Sequence, residues 1–383
     1  MNILQLLTSL NDDISIRAIA AYSKILKNNG YNSYVFAPLG RELSYFKRWG
    51  AEIVGQSASS EDIIYSKANI KKICEVVSSK SIITIHVYDV AGYKAALQVN
   101  KTCSVKIIMS MLSNPSEQTV MSRLNKTIFG EFIPRATTLV PSKTIYQELL
   151  TKYSRKNIGL FYVPVPVDLT IYDEKKISQE RTISLATRWG MLEKPRHIIF
   201  AKAYFNSNKW QNQIIKLSVN LEKLPENIRP YIVVLKSNVN KKQLNEFEEK
   251  YLRYRNSVLC LMDYVADLEA SLKLSSIYLE LNPQNQYYSL DILNALAMGN
   301  AVVSWENDVN KELLPKEYHN YLTGTGDIKK LIQTLTNLLQ MNAQERNFTG
   351  RTSRNYVLNN FNIKNMEELL IDAYSTLSFR KAS

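Results

Sequence analysis

The amino-acid sequence predicts an α/β protein built as two doubly wound, Rossmann-like domains facing a cleft. Three observations carry that prediction. The chain has 383 residues, roughly twice the length of a common domain. Strand-like and helix-like segments alternate throughout, which is the pattern of parallel sheets with crossover helices. Midway, Val163-Pro164-Val165-Pro166-Val167-Asp168 places two prolines in three residues, which excludes a helix interior and favours an extended connector.

In the first half, residues 2–7, 32–37, 82–87, 105–109, 138–140 and 158–163 read as strands. The clearest helix covers residues 16–28, with Ala18, Tyr22, Ile25 and Leu26 on one face and a stop at Asn29-Gly30. In the second half, residues 182–185, 231–235, 258–261, 277–279 and 301–304 read as strands. Helical patterns fall at 197–205, 241–254, 265–274 and 290–298. Near the end, Met366, Leu369, Leu370, Ala373 and Leu377 form an apolar stripe at helical spacing. The expected boundaries are 1–168 for the first domain, 169–355 for the second and 356–383 for a closing helix that returns to the first. No repeat or low-complexity segment interrupts this plan.

Composition narrows the function classes. Apolar residues make up 45% and charged residues 22%, as in ordinary globular proteins. No apolar run reaches the roughly 18 residues of a membrane-spanning helix. Met1–Leu7 reads as a first strand and not as a leader, having neither a basic start nor a long apolar stretch. Three cysteines far apart, without C-x-x-C spacing, argue against a disulfide framework or a thiolate metal site, and suggest a cytoplasmic location. Three histidines are too few for a His-rich metal site, and no Walker A, H-E-x-x-H, G-x-S-x-G or G-x-G-x-x-G pattern occurs. The net charge is +13, of which +8 falls in residues 1–170. Such a balance attracts phosphorylated ligands or an anionic membrane; without a long Lys/Arg block, nucleic acid is not the expected partner.

Several segments, taken in order, resemble the GT-B glycosyltransferases of family 4. Residues 3–11, then Arg17 and Asn29-Gly30-Tyr31, are similar to the family's first β-loop-α-β unit. Thr84-Ile85-His86-Val87-Tyr88 before Ala91-Gly92 resembles its "HAH…AG" segment, and Val140-Pro141-Ser142 its strand-then-Ser element. Residues 162–168 resemble the "VIPNGVD" linker, and Arg188 with Lys194 the "GRL…KG" loop. Residues 293–303, Leu-Asn-Ala-Leu-Ala-Met-Gly-Asn-Ala-Val-Val, are similar to "LEAMAxGxPVV". Asn360-Phe361-Asn362 and then Tyr374 resemble the closing helix.

The resemblance implies a catalytic set of Arg188, Lys194 and His86. Two cations beside a leaving diphosphate would stabilise its developing charge. Here they lie six residues apart, where family members commonly have five. A lone histidine ending a strand, as His86 does, is more often a structural hydrogen-bonding group than a catalyst. Donor binding would fall to Gln286, Ser289, Leu290, Asn294 and Glu312. Ser289 is a candidate N-cap, and the helix start after it offers N–H groups to a diphosphate. Gln286 and Asn294 occupy the two glutamate positions of the family's E-x7-E signature, and both are amides. Asp12, Asp13 and Arg17 line the first loop, expected on the acceptor side, where the family has a Gly-Gly pair.

The implied function is a retaining transfer of sugar from a nucleotide-diphosphate donor to a glycan or lipid-linked acceptor in cell-envelope or lipopolysaccharide synthesis. No cofactor or metal is expected. The more basic first domain suggests peripheral contact with an anionic membrane on its cytoplasmic side. The second reading is a GT-B-fold scaffold that no longer catalyses, since function resides in sites and not in folds.

Overall fold

The computed structural model describes residues 1–8, 13–38, 46–47, 49–57, 66–112, 137–152, 159–191, 196–236, 241–263, 267–283 and 288–379. Two compact units emerge. One comprises Met1–Pro166, Gln286–Tyr288 and Phe361–Ser383; the other Val167–Asn285 and Ser289–Asn360.

The first unit holds a seven-stranded parallel sheet in the order β3-β2-β1-β4-β5-β6-β7. Its strands are β1 Asn2–Leu6, β2 Asn32–Pro38, β3 Glu52–Ser57, β4 Thr84–Val87, β5 Lys106–Ser110, β6 Thr137–Val140 and β7 Gly159–Tyr162. Helices α1 Asp13–Asn28, α2 Lys67–Ser79, α3 Val90–Asn100 and α4 Lys143–Lys152 connect them, and α13 Ile363–Phe379 joins the same unit. Ile3, Leu4 and Leu6 are inaccessible, so β1 is buried on both faces, as a central parallel strand must be. Each such side chain contributes about 1.5–3 kcal/mol on burial. Helix α1 buries Ala18, Ile19, Tyr22, Ile25 and Leu26 along one face. It ends where Gly30 turns left-handed at φ 74°, a conformation that costs glycine little.

A polar seam runs through this core. Gln5 donates to Ser23 Oγ at 2.6 Å and Ser33 Oγ at 2.8 Å, and accepts from the Tyr88 hydroxyl. With Asn29 donating to Glu367 at 2.6 Å, these contacts fix α1 and the closing helix on the sheet.

The second unit has a six-stranded parallel sheet, β10-β9-β8-β11-β12-β13. The strands are β8 Ile198–Ala201, β9 Tyr231–Lys236, β10 Leu259–Asp263, β11 Ile277–Glu280, β12 Ala301–Trp305 and β13 Leu322–Thr323. Its helices are α5 Gln179–Arg188, α6 Asn208–Leu221, α7 Lys241–Leu252, α8 Leu268–Leu274, α9 Leu290–Ala297, α10 Asp308–Leu313, α11 Ile328–Gln340 and α12 Ala343–Asn360.

Two assignments at the opening of this unit are corrected. Residues 182–185 belong to helix α5 and not to a strand. Ser178 caps the helix by accepting from the Arg181 N–H at 3.2 Å, and Leu185, Ala186 and Trp189 are its buried face. Residues 198–201 form β8 instead of a helix, because all four face a packed layer on either side.

Candidate functional site

In a doubly wound sheet, ligands bind where strands end and helices begin. In the second unit, the carboxyl ends of β8, β11 and β12 gather an unusually polar cluster. Lys202, directly after β8, reaches across to Asp291 in the first turn of α9 and ion-pairs with it. Glu280 closes β11 and is only 1% exposed. It accepts from the Tyr204 hydroxyl, from Ser289 Oγ at 2.9 Å and from the Tyr278 hydroxyl at 3.1 Å. Burial pushes its carboxyl above the ordinary range, opposed by Lys202 and the bond from Tyr204. From β12, Ser304 donates to the Glu280 carbonyl at 2.8 Å and receives Asn310 Nδ2 at 2.9 Å, which ties α10 to the cluster.

Ser289 is the N-cap of α9, but its hydroxyl makes no capping bond because it serves Glu280. Ser289 therefore gives the first turn of α9 no side-chain cap of its own, and the helix dipole adds partial positive charge there. One turn further in, Asn294 is 1% exposed, and neither Oδ1 nor Nδ2 has a partner among the described residues. A buried amide without partners costs about 1–3 kcal/mol and demands an explanation. At the other end of α9, Arg354 from α12 donates to the Ala297 carbonyl at 2.6 Å, and its guanidinium also pairs with Asp173 at 3.0 Å. The helix is thus held at its carboxyl end by Arg354, while its N-cap hydroxyl is committed to Glu280.

The expected site residues fall in several places. Ser289, Leu290 and Asn294 lie on this helix, all buried. Glu312 lies in α10, half-buried, its carbonyl accepting from the Tyr356 hydroxyl at 2.8 Å. Arg188 is the last residue of α5, exposed, ahead of β8 and not behind it. Lys202 is the cation that follows the unit's first strand. Lys194, Gln286 and Asp12 lie outside the described residues; Asp13 begins α1 in backbone terms only. Arg17 sits half-buried on α1.

His86 is a core residue of the first unit. It is wholly buried, with Nδ1 2.7 Å from the Tyr374 hydroxyl and Nε2 2.8 Å from Ser110 Oγ. Burial holds its pKa down at about 3, so the ring is neutral at physiological pH. Through these two hydrogen bonds it links β4 and β5 to α13. Sequence reading missed Lys202, Tyr204, Glu280, Ser304 and Asn310. Only Lys202 and Tyr204 carry a usable signal, a Lys and a Tyr directly after a buried strand. No group of metal-ligating side chains occurs among the described residues.

No family model and no curated protein sequence matches the chain. Among solved structures it is similar to a glycosyltransferase from Rickettsia africae ESF-5, at 14% identity over 99% of each chain with a TM-score of 0.79. It is similar to Anabaena Alr3699/HepE in complex with UDP-glucose, at 12% identity over 98% of this chain and 100% of that one, with a TM-score of 0.80. The third is a sucrose-phosphate synthase (tll1590) from Thermosynechococcus elongatus, at 12% identity, covering 98% and 99%, with a TM-score of 0.74. Taken with the two parallel sheets, these full-length matches establish that the chain has the two-domain, Rossmann-like GT-B fold of glycosyltransferase structures.

Proposed function

We propose that the protein is a glycosyltransferase whose second unit binds a nucleotide-diphosphate sugar. The observation that carries the reading is the amino end of α9. There Lys202, a helix N-cap whose hydroxyl makes no capping bond and a buried amide without a partner among the described residues meet at the carboxyl edge of the sheet. A diphosphate would replace Asp291 as the partner of Lys202 and accept from the α9 N–H groups. The Asn294 amide would hydrogen-bond the ribose hydroxyls. As the bond from sugar to diphosphate breaks and an acceptor oxygen attacks, Lys202 and the helix dipole stabilise the leaving charge. Likeness to a structure holding UDP-glucose makes a uridine nucleotide the first donor to try.

The finer parts of the proposal are a retaining outcome, membership of the family-4 group, a glycan or lipid-linked acceptor in envelope polysaccharide synthesis, and chemistry without a metal. Arg188, Lys194, Gln286 and Glu312 remain proposed donor-side residues, and Asp12, Asp13 and Arg17 acceptor-side ones. Location at the cytoplasmic face of an anionic membrane completes it, in keeping with the net charge of +13. The test is incubation with a panel of nucleotide sugars and an acceptor extract, reading nucleoside diphosphate release with and without EDTA. Release with one donor, unaffected by EDTA and lost in Lys202→Ala, supports the reading. A second reading, a GT-B binding protein without turnover, draws on the two amides at Gln286 and Asn294. It would be favoured by tight nucleotide binding with no release from any donor.

A further inference from the structure

Away from the strand ends, one outer face of the second unit combines cations with exposed apolar side chains. Helix α6 contains no Asp or Glu and exposes Lys209, Asn212 and Lys216. Beside it, α7 ends in Lys250-Tyr251-Leu252 and is followed by Arg253-Tyr254-Arg255. A groove of about 450 Å³ separates them, floored by Ile215 and Val219 and rimmed by Lys216, Lys250, Arg253 and Tyr254; no acidic residue lines it. Among the described residues, the Lys250 ammonium donates to neutral oxygens, Asn208 Oδ1 at 2.9 Å and Gln211 Oε1 at 2.8 Å. Leu252 is 63% exposed and Tyr254 57%, among the most exposed large apolar side chains of the described residues.

The turn that presents them is firmly built. The Tyr251 hydroxyl donates to the Leu259 carbonyl at 2.7 Å, and Asn256 Nδ2 donates to Ser218 Oγ on α6 at 3.0 Å. Nearby Glu222 is engaged by Ser257 and by Arg229. Exposed Leu and Tyr alternating with Arg is what a lipid interface requires: apolar groups enter at headgroup depth and cations meet phosphates. A soluble anion would use the cations but would leave Leu252 in water.

We propose that the α6–α7 groove, with Leu252 and Tyr254, docks the second unit on an anionic lipid surface. The inference rests on the membrane contact in the functional reading and assigns it to this face instead of to the more basic first half. The experiment is co-sedimentation of the full chain with phosphatidylcholine vesicles, with or without phosphatidylglycerol. Lys216→Gln/Arg253→Gln should weaken binding to anionic vesicles about 25-fold, from about five-fold per cation near the surface. Leu252→Ser/Tyr254→Ser should also weaken it, while Lys71→Gln/Lys72→Gln, on exposed positions of α2 in the first unit, should not. All these side chains are exposed, and thermal melting of each variant verifies its fold. Wild-type protein that ignores anionic vesicles would sink the membrane reading itself. Wild-type binding that survives both groove variants, or that is lost only in the α2 variant, would overturn this location and leave the membrane reading standing.

Discussion

Asn294→Leu separates the two demands on the buried amide of α9. Leucine keeps the same branching and number of side-chain heavy atoms while removing both polar atoms that lack a partner among the described residues. Relief of an unsatisfied buried amide is worth about 1–3 kcal/mol. The bulkier methyl groups return about 1 kcal/mol of that in a packed site. A net stabilisation of up to about 2 kcal/mol is expected, which for a unit of this size raises Tm by at most ~8 °C. The same substitution should abolish the Tm increase that saturating UDP gives the wild type, about 2.7 kcal/mol at a hundredfold excess over Kd. Differential scanning fluorimetry with and without UDP reads both effects. A lower Tm without ligand would refute the claim that the amide lacks a partner in the fold. An unchanged UDP response would remove Asn294 from the binding site.

Other outcomes follow from the same geometry. Asp291→Asn removes one carboxylate that competes for Lys202 and should tighten UDP binding about five-fold, from the ~1 kcal/mol of a partly exposed ion pair; a weaker Kd by calorimetry would contradict it. Gly350→Ala should destabilise despite the helix preference for alanine, because its Cβ would meet the Gly299 carbonyl at 2.9 Å. A cost of ~1 kcal/mol in urea unfolding is expected, and a gain would show the contact relaxes freely. His86, depressed in the fold to about 3 from an ordinary 6.5, binds a proton between those values only when unfolded, so its contribution is lost as pH falls below about 6.5. Between pH 7 and pH 5, wild type should lose about 2 kcal/mol more than His86→Gln in urea unfolding, and equal losses would refute the assignment.

How much of this was legible in sequence follows from what each element asks of its residues. Central parallel strands are buried on both faces, so Ala301-Val302-Val303 and Ile3-Leu4 announce themselves as unbroken apolar runs. At the opening of the second unit, Thr182-Ile183-Ser184-Leu185 mimics strand alternation, yet Ile183 is 47% exposed and the buried positions follow helical spacing to Trp189. The cap at Ser178 and Glu180 in the first turn are the local signals that decide for helix. Taking that segment as the unit's first strand placed Lys202 and Tyr204 inside an expected helix and hid them. Strand β3 was missed because its short run, Glu-Ile-Val-Gly-Gln-Ser, is polar and broken by Gly55. In the site, Ser289 and Asn294 could be named from the helix motif alone. Glu280, Ser304 and Asn310 could not, since their hydrogen bonds join strand ends that only the sheet order brings together.

The central claim is that the second unit holds a nucleoside diphosphate between Lys202 and α9. Isothermal titration of the full chain with UDP, for wild type and Lys202→Ala, tests it most directly. One-site binding to wild type, weakened about 10–100-fold in the variant by loss of a charge-assisted phosphate bond, is the expected result. Equal affinity for both proteins, or no heat with UDP or any other nucleoside diphosphate, would contradict it.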